Sequence, residues 1–138
     1  MIAIKSHTDL VQSKKLAEIL RVESADMHYD SGDECEICFG RGMYEEIADW
    51  ICEGTPRPAD IPCWSLTALL SVLPFHIIAN NQGYAFSMHK GLNKDGETYM
   101  VRYNVFNTDV CLYETEYYNN PIDACYEMII KLHELKKK

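Results

Sequence analysis

Glu97-Thr98-Tyr99-Met100-Val101-Arg102-Tyr103-Asn104-Val105-Phe106 decides the fold of this chain. Tyr99, Val101, Tyr103 and Val105 alternate with Met100, Arg102 and Asn104. A period of two belongs to a strand whose faces meet different surroundings, and tyrosine and valine suit a pleated, half-buried surface. Similar runs flank it. Phe75 to Ala79 leads through Asn80-Asn81-Gln82-Gly83 to Tyr84 to His89. Gly91-Leu92-Asn93-Lys94-Asp95-Gly96 leads into the central run, and Asn107-Thr108-Asp109 leads on to Val110 to Tyr117. Such short connections make consecutive strands antiparallel neighbours.

A helix follows the four runs. Asn120 is a good N-cap, Pro121 suits the first helical position, and Asp123 places an anion in the first turn. Ile122, Cys125, Met128, Ile129, Leu132 and Leu135 form one apolar stripe. A stripe of that width must bury against something, and the strands just before it are nearest.

Upstream, Ser65 can cap a helix whose Leu66, Leu69, Leu70 and Leu73 share a face, and Pro74 stops it. Near the N-terminus, Ser6-x-x-Asp9 or Thr8 can cap a helix from about Asp9 to Leu20, with Leu16, Ile19 and Leu20 as its stripe. Ser24 to Tyr29 reads as a loop or a short extended piece. Between these helices, Asp30-Ser31-Gly32-Asp33 and Gly40-Arg41-Gly42 are turn chemistry, and Tyr44, Ile47, Ala48 and Ile51 suggest a short amphipathic helix within Met43 to Cys52. The expected architecture is α+β. An antiparallel meander of three or four strands carries N-terminal, central and C-terminal helices mainly on one face. The expected organisation is one domain over 1–138, with 30–61 as an elaboration.

Composition bounds the function. At 138 residues, 47% hydrophobic and 25% charged, the chain is ordinary for a globular protein and long enough to bury roughly two-thirds of its unfolded surface. No apolar run approaches the ~20 residues of a membrane span, and Met1 to His7 lacks the apolar core of a secretory signal. A cytoplasmic protein with reduced thiols is expected. The net charge of −8 opposes binding to phosphate backbones. The basic cluster Lys136-Lys137-Lys138 reads as a helix terminus. Acidic residues concentrate at Asp30, Asp33, Glu34 and Glu36 and again at Glu45, Glu46, Asp49 and Glu53. They read as solvated faces, or as a surface for a cationic partner.

Cys35-Glu36-Ile37-Cys38-Phe39-Gly40-Arg41-Gly42 has the form C-x-x-C-x-G-x-G. It resembles one repeat of the zinc-binding region of Hsp40-type co-chaperones, present here in a single copy. Two thiolates at that spacing grip one metal ion, and a closed tetrahedral zinc site needs two more ligands. Cys52 and Cys63 are the nearest thiols, with His28 and His76 as substitutes. A candidate zinc set is therefore Cys35, Cys38, Cys52 and Cys63. Against it, Cys52 falls on the apolar side of the expected helix and Cys63 precedes Trp64, as packed cysteines do. A thioredoxin-like role is opposed by the acidic flank, which raises thiol pKa. Asp30 to Glu34 is oxygen-rich but lacks the ligand order of an EF-hand.

Other segments carry a broader resemblance. Gln12 to Leu16, Ser24 to Met27, Pro62 to Leu70 and Asn120 to Ile129 are similar to landmarks of a group of small proteins encoded by phages and mobile elements of gut anaerobic bacteria. The group has no assigned activity. The resemblance implies a genomic neighbourhood and neither a reaction nor site residues, and it leaves out the cysteine-rich middle.

Covalent catalysis needs a thiol, a base and an orienting group. Cys63 or Cys111 with His76 or His89 are the candidates, but Cys111 is expected to pack in its strand and His89 to end one in solvent. No phosphate loop, nucleophile elbow or H-E-x-x-H is present. Tyr84, Tyr99, Tyr103, Tyr113, Tyr117 and Tyr118 crowd into the strands, where cross-strand pairing is the plain reading and a protein-binding face the sharper one. The function expected is a non-enzymatic phage or mobile-element accessory protein, acting by protein–protein interaction or self-association. A small zinc-stabilised module is the alternative, and an acidic decoy of a nucleic-acid-binding protein is a further one.

Overall fold

The computed structural model describes residues 5–29, 49–50, 61–94, 96–106 and 108–136. The chain forms two compact units, Lys5–Ser71 and the segment from Val72 to Lys138. The class is α+β, with three helices and two antiparallel sheets among the described residues. No described helix is long and apolar enough to cross a membrane.

The first unit opens with α1 (Leu10–Ala17). Asp9 is its N-cap: the carboxylate accepts from Gln12 N, and the Gln12 side chain returns to the Asp9 amide. That reciprocal box decides the start and makes Asp9, rather than Ser6 or Thr8, the cap. The helix ends three residues before the expected Leu20. The amides of Glu18, Ile19 and Leu20 bond back to Lys15 and Leu16 in a tight terminal turn. A single 3-10 turn (Val22–Ser24) leads to β1 (Met27–Tyr29).

β1 sits between β2 (Asp49–Trp50) and β3 (Ile61–Cys63), both antiparallel to it. This small sheet is absent from the sequence reading, because strands of two or three residues show no periodicity. Asp49 and Trp50 pair with His28 and Met27, so the helix expected over Met43 to Cys52 does not pass through them. The rest of that helix lies outside the described residues.

Buried polar groups knit this unit together. Thr8 and Ser13 share a hydroxyl hydrogen bond at 2.8 Å, and Thr8 Oγ1 accepts from Trp64 N at 3.1 Å. The Trp64 indole donates to Ser24 Oγ at 2.9 Å. Leu16 and Trp64 are fully buried. Ser13, Ser24 to Met27 and Cys63 to Ser65 therefore meet here.

Ser65 caps α2 (Leu66–Val72), its hydroxyl accepting from Ala68 N at 3.3 Å. Leu69 and Leu73 are buried as expected, while Leu70 is 39% exposed and leaves the stripe.

The second unit is a four-stranded meander, β4 (His76–Ala79), β5 (Gln82–Asn93), β6 (Gly96–Asn104) and β7 (Cys111–Glu114), in sheet order β4-β5-β6-β7. Asn80 and Asn81 both have positive φ, at 52° and 64°. That is the two-residue turn whose twist matches flanking strands, and asparagine tolerates it best after glycine. The expected turn over Gly91 to Gly96 is shorter. β5 runs on to Asn93, which pairs with Gly96, so Gly91 is a strand residue. β7 ends at Glu114, but pairing resumes at Tyr118, whose amide and carbonyl exchange hydrogen bonds with Tyr99 at 2.8 and 2.7 Å.

α3 (Pro121–Lys136) closes the chain. Asn120 caps it through Asp123 N at 2.8 Å and donates back to the Asp123 carboxylate. Ile122, Cys125 and Met128 are fully buried and Ile129 nearly so, while Leu135 is exposed as the helix outlasts the sheet. α3 packs against β6.

Candidate functional site

The register of the meander sorts its side chains into two faces. Phe86 pairs with Tyr103 and Tyr103 with Tyr113, so these share a side with Tyr84, Tyr99 and Val101. Val101 and Tyr103 are fully buried there, and Phe86 meets Tyr103 edge-on at 5.6 Å. Burial and the nearby Cys125 of α3 push the Tyr103 hydroxyl up from its ordinary value. Tyr84, Tyr99, Tyr103 and Tyr113 thus share a face, on which Tyr103 is fully buried and the other three are half-buried.

The opposite face, open only toward its Ser87–Arg102–Asn104 end, carries Ala85, Ser87, His89 and Gly91 of β5 against Asn104, Arg102, Met100 and Thr98 of β6, of which Met100 and Thr98 are buried. At one end Tyr117 closes over it: a Cβ on Gly91 would lie 3.3 Å from the Tyr117 ring and 3.0 Å from Thr98 Oγ1. Glycine at 91 is what lets the ring approach. At the other end a groove of about 420 Å³ opens, lined by Ser87, His89, Arg102, Asn104, Phe106 and Asp109 among others.

Ser87 orders its floor. The Ser87 hydroxyl donates to Asn104 Oδ1 at 2.8 Å and lies 3.0 Å from His89 Nε2. Asn104 in turn donates to the carbonyls of Val105 and Thr108, which holds the loop at the rim. Arg102 and Asp109 are the charged residues of the groove, and Arg102 is the cation. Its side chain is 19% exposed, its Nη2 lies 3.9 Å from Asp109, and its Nε is buried without a hydrogen-bond partner. Leaving the buried Nε unpaired costs about 1–3 kcal/mol, and only the remaining, partly exposed part of the guanidinium is open to an acceptor in the groove. Phe106, 77% exposed, supplies an apolar rim.

Cys63 and Cys125 stand apart from this site, while Cys111 pairs with Asn104 beside it. Of the proposed zinc ligands, Cys35, Cys38 and Cys52 lie outside the described residues. Cys63 is on β3, fully buried against Met27 with Leu10 and Ile61 beside it. Burial, then the charge of Asp26, raises its thiol pKa. His28 is also buried, and His76 is exposed on β4. Burial pushes Cys125 up to about 12. Cys111 is half-buried, its thiol 3.2 Å from the Tyr113 carbonyl, and burial followed by Glu114 raises it. No hydrogen bond joins Cys111 to His89 among the described residues. His89 sits inside β5 on the open face, because the strand runs further than its sequence pattern suggests. No group of three or more metal-ligating side chains occurs among the described residues.

A second, shallower groove of about 220 Å³ lies between the end of β7 and α3, with Glu116, Glu127, Glu134 and Lys131 along it. Burial, then Asp123, Glu134 and Glu116, raises the Glu127 carboxyl above its usual range.

Of the groove residues only His89 was a candidate from sequence, because serine, arginine and asparagine on alternate strand positions look like an ordinary solvated face. Register alone brings Ser87, Arg102 and Asn104 together. Comparison with protein-family models, curated proteins and solved structures finds no match to this chain.

Proposed function

We propose that this chain is a non-enzymatic binding protein whose groove on the open sheet face receives a segment of another protein. The observation that carries this reading is Arg102, its side chain 19% exposed in the groove beside an ordered Ser87–His89–Asn104 floor. A carboxylate or main-chain carbonyl of the partner satisfies the guanidinium, and an apolar side chain packs on Phe106. Arginine with a nearby aromatic is the usual anchor of a protein interface. The resemblance to small proteins of phages and mobile elements supports an accessory role.

Panning a displayed peptide library against the folded protein tests this. Enriched peptides carrying a carboxylate, with binding weakened at least ~10-fold by Arg102→Leu, support it. An absence of enrichment, or binding indifferent to Arg102→Leu, overturns it.

A further inference from the structure

The meander has two edges, and they are treated differently. The β7 edge is guarded. It carries a register shift at Tyr103/Asn104, flanking Glu114 and Glu116, and the Lys131 ammonium on the Glu114 carbonyl at 3.2 Å. Bulges and charges of this kind keep sheet edges from pairing with other chains.

Among the described residues, the β4 edge has no such guard. Its register with β5 is unbroken, and Phe75 to Ala79 contains neither charge nor proline. The absence of charge is wider still: no Asp, Glu, Lys or Arg occurs between Ile61 and His89, in a chain of net charge −8. Phe75 is 85% and Ile78 70% exposed. The outward hydrogen-bonding groups follow from the ladder. Phe86 N donates to the Phe75 carbonyl at 3.1 Å. Bonded and non-bonded pairs alternate in an antiparallel sheet, so Ile77 and Ala79 also bond toward β5. The N–H and C=O groups of His76 and Ile78 therefore face outward.

We propose that β4 pairs edge to edge with β4 of a second copy of this chain. Placed antiparallel about a twofold axis at Ile77, His76 of one copy meets Ile78 of the other, and each such pair exchanges both main-chain bonds. The pattern is self-complementary, and the two four-stranded sheets join into one. A second copy fits because the outward groups of His76 and Ile78 complement themselves about Ile77, and because two chains of charge −8 meet no like-charge contact where charged side chains are missing. The β4 edge lies in that neutral stretch. The pairing stands independently of the groove on Arg102.

Sedimentation velocity of the full chain, from low to several hundred micromolar, tests the proposal. The wild type shifts toward twice the monomer mass with rising concentration. Ile78→Pro removes an outward N–H and leaves the β5 ladder intact, and Ile78→Lys sets a charge at an exposed position. Both stay monomeric with an unchanged circular dichroism spectrum, while Arg102→Leu still dimerises. Ile77→Cys faces its own copy across a non-bonded pair, close enough for a disulfide, and oxidation yields a covalent dimer that the wild type does not form. A wild type monomeric throughout, or folded Ile78→Pro and Ile78→Lys variants that dimerise as it does, overturns the proposal.

Discussion

The Asp26 carboxylate takes two hydrogen bonds from Ser65, one from its backbone N–H at 2.9 Å and one from its hydroxyl, although the residues are 39 apart in sequence. Ser65 Oγ also accepts from Ala68 N, so Asp26 holds the residue that starts α2. One side chain thereby fixes the end of β3 against the residue before β1.

Asp26→Ala lowers the stability of the protein by about 1–3 kcal/mol, because it leaves a buried N–H and the capping hydroxyl without their acceptor. Asp26→Asn costs less, since its amide oxygen still accepts from Ser65 N. Urea unfolding followed by tryptophan fluorescence measures both, Trp64 being fully buried beside the bond.

Gly91→Ala destabilises the meander by about 1–2 kcal/mol, the cost of overpacking a methyl against the Thr98 hydroxyl and the Tyr117 ring. Tyr117→Ala removes one of the two obstacles. The double variant therefore loses less than the sum of the single losses, and a double-mutant cycle in urea reads that coupling.

Glu127 gives the pH dependence a definite sign. Its folded carboxyl holds a proton above the usual glutamate range. Between the usual and the raised value the folded state binds more protons than the unfolded state, so stability falls as pH rises through that window. The deficit is complete above it. Glu127→Gln raises the melting temperature slightly at neutral pH, and the gain vanishes below the usual glutamate value, where both states are protonated. Thermal melts of the two proteins across pH 3–8 check it. The gain stays small because the site is largely open to solvent.

Iodoacetamide at neutral pH leaves Cys63 and Cys125 unmodified in the folded protein, since both are buried and their thiols are pushed up. Cys111 reacts, but more slowly than a free thiol at the same pH, because burial and Glu114 hold its proton. Peptide mapping by mass spectrometry reads the three sites. Fast labelling of Cys125 without unfolding contradicts the packing of α3.

The second unit was legible where signals are local. The alternation around Val101, the Asn80-Asn81 turn and the Asn120-Pro121-Asp123 helix start each depend on neighbours in sequence, and each stands in the structure. The boundary at Gly91 was misread because glycine marks turns by default. Here it sits inside a strand to admit Tyr117, which lies 26 positions further on and sends no local signal. The small sheet around Met27 escaped for the same reason, its partners at Trp50 and Cys63 being distant.

Sequence by itself determined the α+β class, the meander and the capped C-terminal helix, because periodicity and capping are written within a few residues. Tertiary structure decided which face stays open. Tyr103 and Arg102 are adjacent on one strand, yet α3 covers the first and leaves the second in a groove. That choice depends on strand register and on where a helix comes to rest. A one-residue shift in pairing exchanges the two faces, and no local pattern records it.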